Sequence, residues 1–239
     1  MKLFCFPYAG GSSSVFNQWR TYIDPGIEIR AIELAGRGKR IHESHYTDFT
    51  RVIADVYSLI ADEIITGDYI FFGHSMGAKI AYELSQHILD RGLKGPGHIF
   101  FSGRGAPYTQ GKEDKEYHKL PDDEFKEEVL KLGGTPKEFF EHPELLDLFL
   151  PLLKNDFKLA ERDKTKVEIK PLPFDITVFL GKEEDLTPEQ IDSWKNYTSE
   201  NCTIHYFNGG HFFLNEKVKE VVENINHTVK LICKPVHAY

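Results

Sequence analysis

Tyr69-Ile70-Phe71-Phe72-Gly73-His74-Ser75-Met76-Gly77 is the stretch that decides the fold. Its apolar start reads as a buried strand, and Gly73–Gly77 is a G-x-S-x-G turn. A helical pattern then runs from near Met76 to about Asp90. A strand that turns this tightly into a helix holds its serine in a strained conformation. The flanking glycines let neighbouring backbone come close without a Cβ clash. Ser75 Oγ is expected at the helix N-terminus, where the dipole favours developing negative charge. Ser75 is therefore the candidate nucleophile.

Working outward, short apolar runs at 3–6, 27–34, 68–72 and 98–102 read as strands. Before the third of them, Phe49, Val52, Ile53, Val56, Tyr57, Ile60 and Ile64 share one face of a 3.6-periodic helix. Later, Ile176–Leu180 and Thr203–Phe207 read as strands and Leu214–Ile232 as the last helix. Thr187-Pro188-Glu189-Gln190 carries a helix start, with Thr187 as N-cap and Gln190 closing a capping box. This alternation predicts an α/β protein with a mostly parallel sheet and helices on both faces. The alternation stops between Arg104 and Lys166. There the apolar residues cluster as Phe125, Val129, Leu130 and Leu132, then Phe139 and Phe140, then Leu145–Leu153. We expect a helical insertion at 104–166 on a core formed by 1–103 and 167–239, since a structureless loop of that length is improbable.

Composition fits one large α/β domain. The 239 residues are 41% hydrophobic and 28% charged, which excludes disorder over most of the chain. No sustained apolar run is long enough for a transmembrane helix. The short run at 3–6 breaks at Pro7 and does not read as a signal peptide. A net charge of −8 argues against nucleic-acid binding. Cys5, Cys202 and Cys233 cannot all pair and make no zinc pattern, so they read as reduced thiols of a cytoplasmic protein. No metal or cofactor is expected, and a monomer is the expected state.

A serine nucleophile needs a base and an orienting acid, in the chain order Ser, acid, His for this architecture. Of 11 histidines, His211 follows the last strand on a loop at its carboxyl end, where catalytic groups gather. The acid is expected on the loop after the preceding strand, Gly181-Lys182-Glu183-Glu184-Asp185. Among its carboxylates, Asp185 is chosen over Glu184 to fix the His211 tautomer and stabilise its imidazolium. Oxyanion donors are expected from the backbone N–H of Met76 and from the glycine-rich loop after the first strand. In that loop Ala9 is assigned, with Tyr8 as the alternative.

Together, FPYAGG at 6–11, GRG at 36–38, GHSMG at 73–77, SGRGAP at 102–107, LPDDEF at 120–125, LGGTP at 132–136 and GGHFFL at 209–214 resemble the type II thioesterases. These are the stand-alone editing enzymes of nonribosomal peptide and polyketide synthetases in antibiotic biosynthesis. The medium-chain fatty-acyl thioesterase of animals is a relative. The resemblance implies an α/β-hydrolase fold with a helical lid. It supports Ser75 and His211, and Asp185 through a GxxxD placement. It also implies a substrate: an acyl or aminoacyl group on the phosphopantetheine arm of a carrier protein. Two departures stand out, Ala35 where the family has proline and Lys154-Asn155 where its lid often has Arg-Ala. Two other readings share the triad or the fold: a general esterase or lipase for small esters, and a non-catalytic docking module. If an acidic carrier docks at the lid, Lys112, Lys115 and Lys119 are the expected steering charges.

Overall fold

The computed structural model describes residues 1–109, 116–134, 142–161 and 168–233. Strands β1 (Lys2–Phe6), β2 (Glu28–Ala31), β3 (Tyr69–His74), β4 (Ile99–Ser102), β5 (Ile176–Gly181) and β6 (Cys202–Phe207) form one sheet. Its order is β2-β1-β3-β4-β5-β6, and every pair is parallel. This is the α/β-hydrolase arrangement. Alternation along each strand divides the core in two. Phe4, Phe6, Tyr69, Phe71, Ile99, Phe101, Ile176 and Val178 face one layer with helices α1 (Phe49–Ile65) and α2 (Met76–Leu89). Leu3, Cys5, Ile70, Phe72, Phe100 and Phe179 face the other. That second layer is closed by Phe16 and Trp19 of a 3₁₀ helix, Ser13–Thr21.

Between β4 and β5 stand α3 (Asp122–Leu132) and α4 (Pro143–Ala160). Phe125, Val129, Leu150 and Leu153 form a small core between them. The expected cluster Phe139–Phe140 lies outside the described residues. After β5 come α5 (Pro188–Asp192), α6 (Phe213–Glu216) and α7 (Val218–Ile232). The Thr187 capping box forms with both of its bonds: Gln190 N–H donates to Thr187 Oγ1 at 3.2 Å and Thr187 N–H to Gln190 Oε1 at 2.9 Å.

Two elements differ from expectation. The strand expected at 27–34 ends at Ala31. Ile32 N–H still reaches Cys5 O, but Ala35 N–H donates to the Tyr46 hydroxyl instead of a strand neighbour. The last helix is not continuous from Leu214. Lys217, at φ −111° and ψ 33°, leaves the helical region and splits it into α6 and α7. The split lets Phe213 and Leu214 sink into the core beside the sheet before α7 lays Val221, Val222, Ile225 and Val229 against it. Among the described residues, no helix is long and apolar enough to cross a membrane.

The β1–β3–α2 junction is the tightest point of the fold. A Cβ on Gly77 would lie 2.1 Å from Phe6 O, and one on Gly73 would lie 2.0 Å from Gly77 O. Gly77→Ala is therefore expected to cost about 3 kcal/mol, the upper range of core overpacking. Gly67→Ala, with nothing within 4 Å of the added atom, is expected to be neutral or slightly stabilising. Urea unfolding of the two variants against the parent checks both.

Candidate active site

Ser75 stands between β3 and α2 at φ 54° and ψ −109°, a left-handed backbone that costs free energy for any residue but glycine. The fold holds it there from both sides. Ser75 N–H donates to Ser102 O on β4 at 2.8 Å, and the glycine contacts at 73 and 77 clamp the turn. Met76 opens α2, so its backbone N–H belongs to the unpaired first turn of a helix.

The loop after β1 packs onto this turn, because a Cβ on Gly77 would also lie 2.9 Å from Pro7 O. Gly11 N–H donates to Tyr8 O at 2.9 Å, and Gly10 takes φ +75°. Tyr8-Ala9-Gly10-Gly11 is therefore a turn with its third residue left-handed, as type II requires. Ala9 sits at its corner, beside the small core of α3 and α4.

His211 follows β6. Its ring lies 5.0 Å, centroid to centroid, from that of His74, the residue before Ser75. Its Nδ1 is hydrogen-bonded to Glu184 Oε1 at 2.7 Å. Glu184 Oε2 accepts the Gly181 N–H at 2.8 Å, and the side chain is only 5% exposed. Here the structure differs from expectation, since the carboxylate set against His211 is Glu184 and Asp185 is exposed. The reason is the turn. Glu184 N–H and Gly181 O close it at 3.3 Å, which folds the Glu184 side chain back over its own backbone. Its extra methylene then spans the distance to the imidazole. The two loops are pressed together as well: a Cβ on Gly181 would lie 2.5 Å from Gly210 O.

Around this pair the walls are aromatic. Tyr8 meets Phe212 edge-on at 4.9 Å and His74 at 5.8 Å. Gly134, at the end of α3, presses on Phe212, where an added Cβ would lie 2.3 Å from the ring. The α3–α4 segment thus covers the His211 side of the site.

Neither the sequence motifs nor the triad order assigned roles to Arg37 and Asp156. They form a buried bidentate ion pair, with Nη1–Oδ2 at 2.6 Å and Nη2–Oδ1 at 2.8 Å. The sequence marks Arg37 as a charge between two glycines, whereas Asp156 stands in the polar stretch Lys154-Asn155-Asp156 and carries no comparable signal. Of the expected steering lysines, Lys119 is paired with Glu116 within its own turn. Lys112 and Lys115 lie outside the described residues.

The thioesterase domain family matches residues 1–229. The chain belongs to the thioesterase family. It is similar to the gramicidin S biosynthesis protein GrsT of Aneurinibacillus migulanus, at 34% identity over 98% of this chain and 91% of that protein. It is also similar to the medium-chain S-acyl fatty acid synthase thioesterase of Rattus norvegicus, at 34% identity over 89% and 81%. Among solved structures it resembles ClbQ from the colibactin NRPS/PKS pathway, at 35% identity, 97% coverage of both chains and a TM-score of 0.89. The thioesterase is thus a hydrolase acting on thioesters, serine-type by fold.

Two buried histidines of this thioesterase stay neutral. Burial first, and the nearby His211 second, hold His74 well below the ordinary histidine range. Its Nδ1 is 2.8 Å from Ser102 Oγ. At the foot of β4, burial lowers His98 to about 4. The unfolded chain takes up these protons below about pH 6.5 and the folded chain does not, so acid favours unfolding. We expect unfolding free energy to fall between pH 7 and pH 5 by about 2 kcal/mol from His98 alone. Urea unfolding at the two pH values checks this, and His98→Gln should flatten the dependence.

Proposed function

We propose that this thioesterase hydrolyses acyl or aminoacyl thioesters on the phosphopantetheine arm of carrier proteins, clearing misprimed or stalled synthetase modules. The observation that carries the mechanism is the Glu184-bound imidazole of His211 packed against the strained elbow of Ser75. Ser75 Oγ attacks the thioester carbonyl while His211 Nε2 takes its proton. Glu184 accepts the Nδ1–H, fixes the tautomer and stabilises the imidazolium. The N–H groups of Met76 and Ala9 receive the oxyanion. Collapse breaks the C–S bond, and His211 returns its proton to the departing sulfur. Water then attacks the acyl-enzyme by the same route and releases the carboxylic acid.

The substrate class rests on the relatives, one of which is named as a type II thioesterase of the yersiniabactin NRPS/PKS pathway and is 26% identical with a TM-score of 0.86. The segment 104–166 acts as the lid. Leu146, Phe149, Leu150 and Leu153 gather beside Ala9, an apolar cover suited to an acyl chain. The three cysteines stand as free thiols, which fits the reducing cytoplasm.

Ser75→Ala is expected to lower turnover by about 10⁴–10⁶-fold with folding intact, measured by thiol release from an acyl-pantetheine substrate. Glu184→Gln should cost on the order of 10²–10⁴-fold, because an amide can favour the wrong imidazole tautomer. Asp185→Asn should stay within tenfold of the parent. The reverse order would return the acid role to Asp185. For the substrate, kcat/KM on an acyl group carried by a holo carrier protein should exceed that on the same group bound to free pantetheine. Equal values would favour a general esterase.

A further inference from the structure

Asp156 is shared by two partners. Its carboxylate is locked in the guanidinium fork of Arg37, and its Oδ2 also accepts the Gly10 N–H at 2.7 Å. Arg37 Nη1 donates in addition to Gly11 O at 3.2 Å. Both charged side chains are almost fully buried, at 4% and 1% exposure. The pair thus binds the last two residues of the Tyr8–Gly11 turn, Asp156 at the Gly10 N–H and Arg37 at the Gly11 carbonyl. Gly10 N–H belongs to the central peptide of that turn, the unit whose flip interconverts type I and type II turns. A flipped peptide would aim Ala9 O at the Asp156 carboxylate, so the charge selects one orientation. Asp156 lies on α4, and α4 also touches the turn through apolar atoms: a Cβ on Gly10 would lie 2.7 Å from Leu153 Cδ1 and 3.0 Å from Phe149 Cζ.

We propose that Asp156 is a positioning residue for the oxyanion turn, with Arg37 as its lock, so that the hole is formed while α4 is seated on Gly10. This rests on the reading of Ser75 and the Ala9 donor given above. A buried ion pair is weak ground for a purely stabilising role, since replacing both partners by apolar residues is often neutral or stabilising. That property separates positioning from stability.

The test is the double variant Arg37→Met/Asp156→Leu in the full chain. Its melting temperature is expected at or above that of the parent. On acyl-pantetheine its kcat should fall about 10²-fold, the cost of a lost or displaced oxyanion donor, with KM within about threefold. The Ki of an n-alkyl boronic acid, which forms a tetrahedral adduct, should rise by a similar factor. A folded double variant with kcat and Ki within threefold of the parent overturns the proposal, as does a rise in KM alone. Should the double variant not fold, Asp156→Leu, which removes the acceptor of the Gly10 N–H, is read by the same criteria below its melting point. Parent and Ser75→Ala are run alongside. A parent that the boronic acid does not inhibit, or an active Ser75→Ala, removes the nucleophile reading and the proposal with it. Expected behaviour of both controls with parental rates in the variants removes the positioning role alone.

Discussion

The contact between Gly77 and the carbonyl end of β1 is the constraint on which the rest depends. Because backbone meets backbone there, at a separation no side chain could occupy, α2 starts directly over the end of the sheet. The chain must then make its strand-to-helix turn within one residue, and Ser75 takes the left-handed conformation this demands. The strain is supported by the bond from Ser75 N–H to Ser102 O and by the packing of Met76 and Ala78 in the core. One close approach therefore fixes the serine, the first N–H groups of α2 and the loop after β1 in a single frame.

A second frame is electrostatic. The C-terminal half of α4 is moored to the core by three cations. Lys79 Nζ donates to Leu159 O at 2.7 Å and Glu161 O at 3.1 Å, Arg104 donates to Ala160 O at 3.0 Å, and Arg37 holds Asp156. Cations at a helix C-terminus complement its dipole. Lys79 lies on α2, four residues after Ser75, so the helix that follows the elbow also carries a mooring of α4. The N-terminal half of α4, before Pro151, instead leaves Leu145 and Leu148 exposed. The C-terminal half is thus tied to the core and to the Tyr8–Gly11 turn, while two leucines of the N-terminal half face solvent.

The legible parts were those governed by local rules. The elbow, its glycines and Ser75 follow from a nine-residue pattern, and the Thr187 cap from a four-residue one. His211 followed from strand order, because the carboxyl ends of parallel strands gather side chains there. Choosing between Glu184 and Asp185 needed the shape of one turn, since neighbouring carboxylates differ only in which way the backbone aims them. The Arg37–Asp156 pair spans 119 positions and no periodicity predicts it. The end of β2 at Ala31 was hidden for a similar reason: past it the Ala35 N–H goes to the Tyr46 hydroxyl and not to a strand neighbour. The break at Lys217 answers the need to bury Phe213 and Leu214 beside the site, which hydrophobic periodicity alone does not register.

The central claim is that Ser75, poised by the elbow, is the nucleophile of thioester hydrolysis. An alkyl fluorophosphonate tests it most directly, by intact-mass titration and peptide mapping alongside residual thioesterase activity. The account predicts one adduct per chain, on the peptide carrying Ser75, with activity lost in proportion to labelling. Full activity in the labelled protein, or inactivation with the adduct on another residue, would contradict it.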